Sequence, residues 1–368
     1  MMRATPALKV AIVGCGKIAD SHVEQVRATG MADAIAVCDR EPLMARQLAM
    51  RLRVPRWYSD LSGMLETERP DVVHIATPPD SHLSLAESCL RSGCHVFMEK
   101  PFALDSAQTR SILALAQAAG LRICVNYLYN FESPYLEFMQ KVRAGELGRV
   151  VHLDTVYGYN LAGDYGLAVL ADPEHWVHRL PGKLFHNVLD HVLAKVTPLL
   201  ESDDLQVHSQ ALRLRPTGAN AVLDAMPDEL RFLMRSGDLT VSGVVSAHSR
   251  PVQHTLTAYG TKSSLRLDIG ARTCVPIIAQ SLPSSLGRLL PAWTIARHYR
   301  RNGWSNLRRF WQHEFHFFEG MRVLLRAFYG SILQTDDDPI PALVVQRTAD
   351  ALDAVVESMR GVSGRPRP

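Results

Sequence analysis

Hydrophobic and polar positions change rhythm once along this chain of 368 residues. Near the start, short β-branched runs (LKVAIVG, DAIAVCD, DVVHIAT, HVFMEK) alternate with amphipathic stretches (ADSHVEQVRATG, PLMARQLAMRL, HLSLAESCLRSG). Strands separated by helical segments predict βαβ units and a parallel sheet. A helix over SAQTRSILALAQAAG and a strand over RICVNY close this domain near residue 125. Beyond it a helix is expected at 134–145, a strand at 149–158, and further strands at 205–215, 231–235, 239–247, 252–259 and 263–269. Turn-type residues separate these strands, with little helical sequence between them. That suits a mostly antiparallel sheet with a helix around 184–200 on one face. The fold class is therefore α/β: a parallel-sheet domain over 1–125, then an α+β domain over 126–368 with a large, mostly antiparallel open sheet.

Chemistry enters first at Gly14-Cys15-Gly16-Lys17-Ile18-Ala19, which follows the strand KVAIV and opens a helix near Asp20. Gly14 permits the tight turn, Gly16 lets backbone approach a pyrophosphate, and Ala19 is small enough for close helix–strand packing. The helix N-terminus then faces the phosphates. Asp39 ends the second strand, where a carboxylate accepts hydrogen bonds from a ribose and repels a 2′-phosphate. Arg40 follows at once and could pair with that phosphate. The domain over 1–125 is thus a Rossmann dinucleotide-binding domain, and its cofactor is NAD or NADP, with NAD favoured.

Five segments, GCGKIADSH at 14–22, VCDR at 37–40, ATPPDSH at 76–82, EKPF at 99–102 and VNYLYNF at 125–131, occur in an order that resembles the Gfo/Idh/MocA oxidoreductases (glucose-fructose oxidoreductase/inositol dehydrogenase-like). The resemblance covers most of residues 8–150. It implies cofactor contacts at Gly14, Gly16, Lys17, Ile18, Asp39, Arg40, Thr77, Pro78, His82, Glu99 and Lys100. It also implies that Lys100, in Glu99-Lys100-Pro101, is catalytic. A lysine at the carboxyl end of a parallel strand lies where such sheets place ligands, and its ammonium can stabilise a developing oxyanion. The resemblance further implies a frequently cis peptide before Pro101, which would aim Lys100 inward.

The family's second signature is a glycine-rich turn, then a helix carrying Asp or Asn and, four residues later, His. Here it corresponds to Pro181-Gly-Lys-Leu-Phe-His-Asn187-Val-Leu-Asp190-His191, with one glycine instead of three and Ala194 where an Asp often follows. Asn187 and His191 share a helix face, and His191 could take a hydroxyl proton while hydride goes to the nicotinamide. A one-residue slide would substitute the pair His186 and Asp190. Tyr127 and Trp176, beside the two signatures, could stack on a sugar ring or simply pack. The resemblance implies an NAD(P)-dependent dehydrogenase or reductase moving hydride between nicotinamide and a hydroxyl or keto carbon of a sugar, polyol or sugar nucleotide. An NAD-dependent redox-neutral glycosidase, and a non-catalytic scaffold or sensor in a glycan pathway, stay open. The family's sheets commonly pair between subunits, so a homodimer or tetramer is expected.

Composition adds the compartment. Hydrophobic residues are 47% and charged residues 21% of the chain, which excludes wholesale disorder. No secretory pattern opens the sequence and no apolar run reaches about 18 residues. The six cysteines form no Cys-x-x-Cys pair. A reducing cytoplasm is expected. His175, His178, His186 and His191 give no ligand set on one face, so no metal is expected. The charge is uneven: residues 286–330 hold eight arginines against Glu314 and Glu319, a local +6 in a chain of net +3, interleaved with aromatics. This segment reads either as a helical insertion packed on the second domain or as a basic surface for anionic lipid or a membrane-bound glycan-pathway partner. No nucleic-acid module accompanies it.

Overall fold

A computed structural model describes residues 7–216, 221–277, 284–312, 314–316, 318–334 and 337–362. The chain divides into two compact units: Met1–Leu128 with Phe318–Ala349, and Tyr129–Phe317 with Asp350–Pro368.

The first unit alternates strand and helix as the pattern predicts. α1 (Ala19–Thr29) links β1 (Leu8–Val13) to β2 (Ala32–Cys38), and α2 (Pro42–Leu52) leads to β3 (Arg56–Tyr58). There follow α3 (Leu61–Glu68), β4 (Val72–Ile75), α4 (His82–Arg91), β5 (His95–Met98), α5 (Ser106–Ala118) and β6 (Ile123–Val125). The strands are parallel in the order β3-β2-β1-β4-β5-β6. Burial runs almost unbroken through β1 and β4, as it must in a parallel sheet covered on both faces. The strand order reverses between β1 and β4, and doubly wound sheets bind ligands at the carboxyl ends around such a point.

The second unit holds α6 (Ser133–Arg143), β7 (Val150–Gly158), α7 (Asp164–Ala171), α8 (Lys183–Val188), α9 (Asp190–Val196), β8 (Leu205–Leu212) and a short α10 (Ala221–Asp224). β9 (Glu229–Ser236), β10 (Leu239–Ser246), β11 (His254–Gly260), β12 (Ser264–Asp268), β13 (Thr273–Ile277) and α11 (Ser284–Trp311) follow. Its sheet runs β13-β12-β11-β7-β10-β9-β8, antiparallel except for the β7–β10 pair. β9 alternates buried and exposed residues, as expected of a sheet with one face packed. Leu184, Phe185, Val188, Val192 and Val196 from α8 and α9 share one core with Leu153, Phe232 and Val241 of the sheet.

Three features depart from the sequence pattern. The helix expected at 184–200 is two helices joined at Leu189 and followed by a 3-10 turn at Thr197–Leu199. β13 is an additional edge strand, too short and too close to a glycine turn to stand out. The basic aromatic segment 286–330 is not one insertion, because it straddles the division at 317/318. Its second part lies in α12 (Glu319–Gln334), which buries Met321, Leu324, Leu325, Phe328 and Tyr329. That is the i, i+3, i+4, i+7, i+8 stripe of a core-facing helix in the first unit. α13 (Ala342–Val362) ends the described chain.

Candidate active site

In the first unit the glycine turn is built from the end of β1. Gly14 has φ +92°, in the region that favours glycine, and its N–H donates to Cys38 O at 2.8 Å. A Cβ there would stand 2.8 Å from the Ala76 carbonyl, so only glycine lets β1 and β4 end side by side. Gly16 is exposed, with nothing within 4 Å of a would-be Cβ. Ile18, at the N-cap position of α1, offers no side-chain cap. Asp39 lies beside this turn: Oδ2 accepts from Cys15 N–H at 2.7 Å and Oδ1 from Glu41 N–H at 2.9 Å. Both bonds fix the carboxylate and leave lone pairs for ribose hydroxyls. Open backbone at Gly16, an uncapped helix start and an oriented carboxylate together fit a dinucleotide. Lys17 and Arg40 are exposed. Burial pushes the Cys15 thiol up to about 12, so it stays protonated in this turn.

The loop after β4 carries Thr77, Pro78 and His82. Thr77 Oγ1 accepts from Ser81 Oγ at 2.7 Å. His82 is fully buried, with Nε2 2.8 Å from Thr77 O and Nδ1 3.2 Å from Phe102 O. Burial keeps its pKa low, so the neutral ring donates from one nitrogen, and the shorter contact assigns it to Nε2. His82 thus braces the loop after β4 through Thr77 O, with Phe102 of the loop after β5 packed against its other nitrogen.

Glu99 and Lys100 follow β5, and the Lys100–Pro101 peptide is cis. Glu99 is buried. Its Oε1 accepts from His22 Nε2 at 3.0 Å and Asn126 Nδ2 at 2.6 Å, and Oε2 from Lys100 N–H at 3.2 Å. The network continues: His22 Nδ1 lies 2.9 Å from His74 Nδ1, and His74 Nε2 lies 2.8 Å from the Tyr329 hydroxyl. The carboxylate only accepts, so His22 donates to it from Nε2. Burial, then the neighbouring His22, holds the His74 pKa far below the ordinary imidazole value, in keeping with a neutral ring. Burial raises the Glu99 carboxyl, but the His22 bond, with Asn126 and the Lys100 charge behind it, outweighs burial and leaves it below its usual value.

In the second unit Leu189 keeps helical angles, φ −63° and ψ −30°, so Asn187 and His191 stay on one side across the joint. Asn187 is buried and donates to the Tyr165 hydroxyl at 3.4 Å. The His191 ring is partly exposed and lies between Tyr129 (centroids 5.0 Å) and Tyr157 (5.5 Å). Of the swapped pair, His186 is fully enclosed and Asp190 is 3% exposed. Behind His191, the enclosed Lys195 donates to His191 O at 2.5 Å and contacts His254 Nε2. Burial drives the Lys195 amine far below the ordinary lysine value. Trp176 is half-buried, stacked on His175 at 5.6 Å, while Tyr127 is buried in the first unit. Among the described residues no group of three His, Cys, Asp or Glu could hold a metal ion.

The reduced glycine turn has a structural reading. Gly182 has φ −102°, and a Cβ on it would meet Val356 Cγ2 at 2.7 Å, so it remains for space. The left-handed position is taken by Lys183, with φ 50°. Lys183→Gly is expected to raise stability by up to about 1 kcal/mol, because a side chain in that region costs about 1–2 kcal/mol and glycine returns part as chain entropy. An unchanged urea midpoint would instead show that the Lys183 Nζ bond to Ala225 O balances the strain.

No local sequence pattern marks the members of these clusters that come from a distance. His22 and Asn126 lie inside GCGKIADSH and VNYLYNF, and His74 is a polar residue within an apolar strand. Tyr329 lies 255 residues from His74 and His254 lies 59 from Lys195, so no local pattern connects either pair.

Residues 8–127 match GFO_IDH_MocA, the oxidoreductase family with an NAD-binding Rossmann fold. A D-apiose dehydrogenase of Paraburkholderia graminis is 31% identical over 140 residues, which is 38% of this chain and 37% of that one. A D-glucoside 3-dehydrogenase of Escherichia coli is 29% identical over 174 residues, 47% of this chain and 49% of that one. The chain thus spans less than half the length of these curated relatives. A WlbA dehydrogenase from Bordetella pertussis, whose crystal structure holds NADH and UDP-GlcNAcA, superposes with a TM-score of 0.76 over 97% of this chain and 96% of that one, at 17% identity. At that identity the likeness carries the fold, and it extends over both units. The glycine turn, Asp39 and the Glu99-Lys100-Pro101 strand end all lie within residues 8–127, the stretch that is similar to the Gfo/Idh/MocA oxidoreductase family and its NAD-binding Rossmann fold.

Proposed function

We propose that the chain is an NAD-dependent dehydrogenase or reductase acting on a hydroxyl or keto carbon of a sugar, polyol or sugar nucleotide. The observation that carries this is the end of β5, where the carboxylate of Glu99 is pinned by His22 and Asn126 and holds the backbone N–H of Lys100. Such a strand end, near the point where the strand order reverses, is where doubly wound sheets meet their ligands. The relatives named as D-apiose and D-glucoside dehydrogenases support a polyhydroxylated substrate.

The first unit binds the cofactor and the second supplies substrate contacts. The Gly14–Ala19 turn meets the pyrophosphate, Asp39 the adenosine ribose, and Thr77 and Pro78 line the same strand ends, with His82 and Glu99 as their supports. The bound nicotinamide is the two-electron acceptor or donor. The Lys100 ammonium stabilises negative charge on the reacting oxygen, and His191 takes or returns the hydroxyl proton, with Asn187 orienting the substrate. Partial exposure favours His191 over the enclosed His186 for this role, since a proton-transfer group must reach its substrate.

NAD is favoured over NADP because Asp39 presents fixed negative charge where a 2′-phosphate would lie. Asp39→Ala is expected to lower kcat/KM for NAD by about 10- to 100-fold, the worth of hydrogen bonds to a charged acceptor, while NADP loses less or gains. The check is steady-state turnover of both cofactors with a panel of sugars, polyols and sugar nucleotides. Equal effects on both would mean that Asp39 only braces the turn and does not read the ribose.

A further inference from the structure

We propose that α11 carries a peripheral membrane-binding surface that recognises anionic lipid. The helix has six arginines and no carboxylate between Ser284 and Trp311. One face is anchored to the second unit by polar bonds. Asn302 accepts from Cys274 N–H at 3.2 Å and donates to Cys274 O at 3.4 Å, and Asn306 donates to the carbonyls of Ala271 and Arg272 at 3.2 Å. At 100° per residue, Trp293, Arg297, Arg300, Trp304, Arg308 and Trp311 fall within about a third of a turn on the opposite side. The anchoring asparagines fix which way that stripe faces.

The stripe is open to solvent: Trp293, Trp304 and Trp311 are 73%, 67% and 74% exposed. Indoles this bare, at both ends and the middle of a line about 27 Å long, leave a large apolar area unpartnered. Arginines alternate with them, so the occupant must accept apolar rings and positive charge together along a nearly straight path. An anionic bilayer interface does this, with indoles at headgroup depth and guanidinium groups on phosphates. Among the described residues no helix is long and apolar enough to cross a membrane, so the association would lie in the plane of the surface. This inference stands on α11 alone, whichever reaction the chain performs.

The experiment is co-sedimentation of the full chain with phosphatidylcholine vesicles, with and without phosphatidylglycerol. Binding is expected only to the anionic vesicles, with a blue shift of tryptophan emission and release by salt. Near an anionic surface each basic side chain contributes about fivefold to partition, so Arg297→Glu, Arg300→Glu and Arg308→Glu together should lower it about a hundredfold or more. Trp293→Ala, Trp304→Ala and Trp311→Ala together should remove the emission shift and weaken binding, at unchanged melting temperature. No binding, binding that ignores lipid charge, or binding that both variants retain would overturn the proposal. So would loss of a homo-oligomer in the variants without lipid, because a second copy would then cover the stripe.

Discussion

Replacing Lys100 by alanine is expected to lower kcat by about 10²- to 10⁴-fold, the range for a group that stabilises charge or moves a proton in the transition state. The NAD dissociation constant should change little, because phosphates and ribose are met by the Gly14 turn and by Asp39, which do not depend on the Lys100 side chain. Lys100→Arg should not restore the rate, since a guanidinium is larger and planar and spreads the charge that the compact ammonium concentrates on the reacting oxygen. Steady-state rates beside direct NAD titration separate the two quantities. A variant that keeps wild-type kcat would remove Lys100 from the chemistry, whereas one that loses NAD binding would make it a cofactor contact.

Glu99→Ala is expected to cost about 3–5 kcal/mol, because His22 and Asn126 would be left buried without their acceptor. Acid sensitivity should change with it. The Glu99 carboxyl titrates below its ordinary value in the folded chain, so its stabilisation is fully present above the unfolded value of about 4.3 and is lost as pH falls through the folded value. Wild-type stability should therefore decline on acidification through that window, while Glu99→Gln, lacking the titration, should decline less. Denaturant melts across pH read both effects, and parallel pH profiles would show that Glu99 does not carry the pair. Because Tyr329 ends this hydrogen-bonded line, Glu99 also links the strand end at Lys100 to α12 within the same unit.

The Rossmann half was legible because its chemistry is local. A parallel strand covered on both faces reads as an unbroken apolar run, and the glycine turn, Asp39 and Glu99-Lys100-Pro101 each sit at a strand end that the pattern locates. The second half was legible as rhythm, since β9 alternates cleanly, but not in its details. β13 is five residues long and looks like loop, and the parallel β7–β10 pair joins strands far apart in sequence. Lys195 would be read as solvated, yet it is enclosed, because its amine meets His254 from a strand 59 residues away. Phe328 and Tyr329 share the arginine-rich, aromatic composition of 286–330 with the exposed tryptophans. Only the helix period of α12, counted from Met321, separates core aromatics from surface ones. Lys183 in a left-handed turn is likewise invisible to a motif that expects glycine there.

The proposed reaction is oxidation or reduction of a carbon bearing oxygen in a polyhydroxylated substrate, with NAD as partner. Label transfer tests it most directly: the purified chain is incubated with NAD and perdeuterated sugars, polyols and sugar nucleotides, and the recovered dinucleotide is weighed by mass spectrometry. The account predicts a reduced dinucleotide carrying one deuterium from a subset of these substrates, and none with Lys100→Ala. Bound NAD that stays unlabelled and oxidised with every substrate would contradict it.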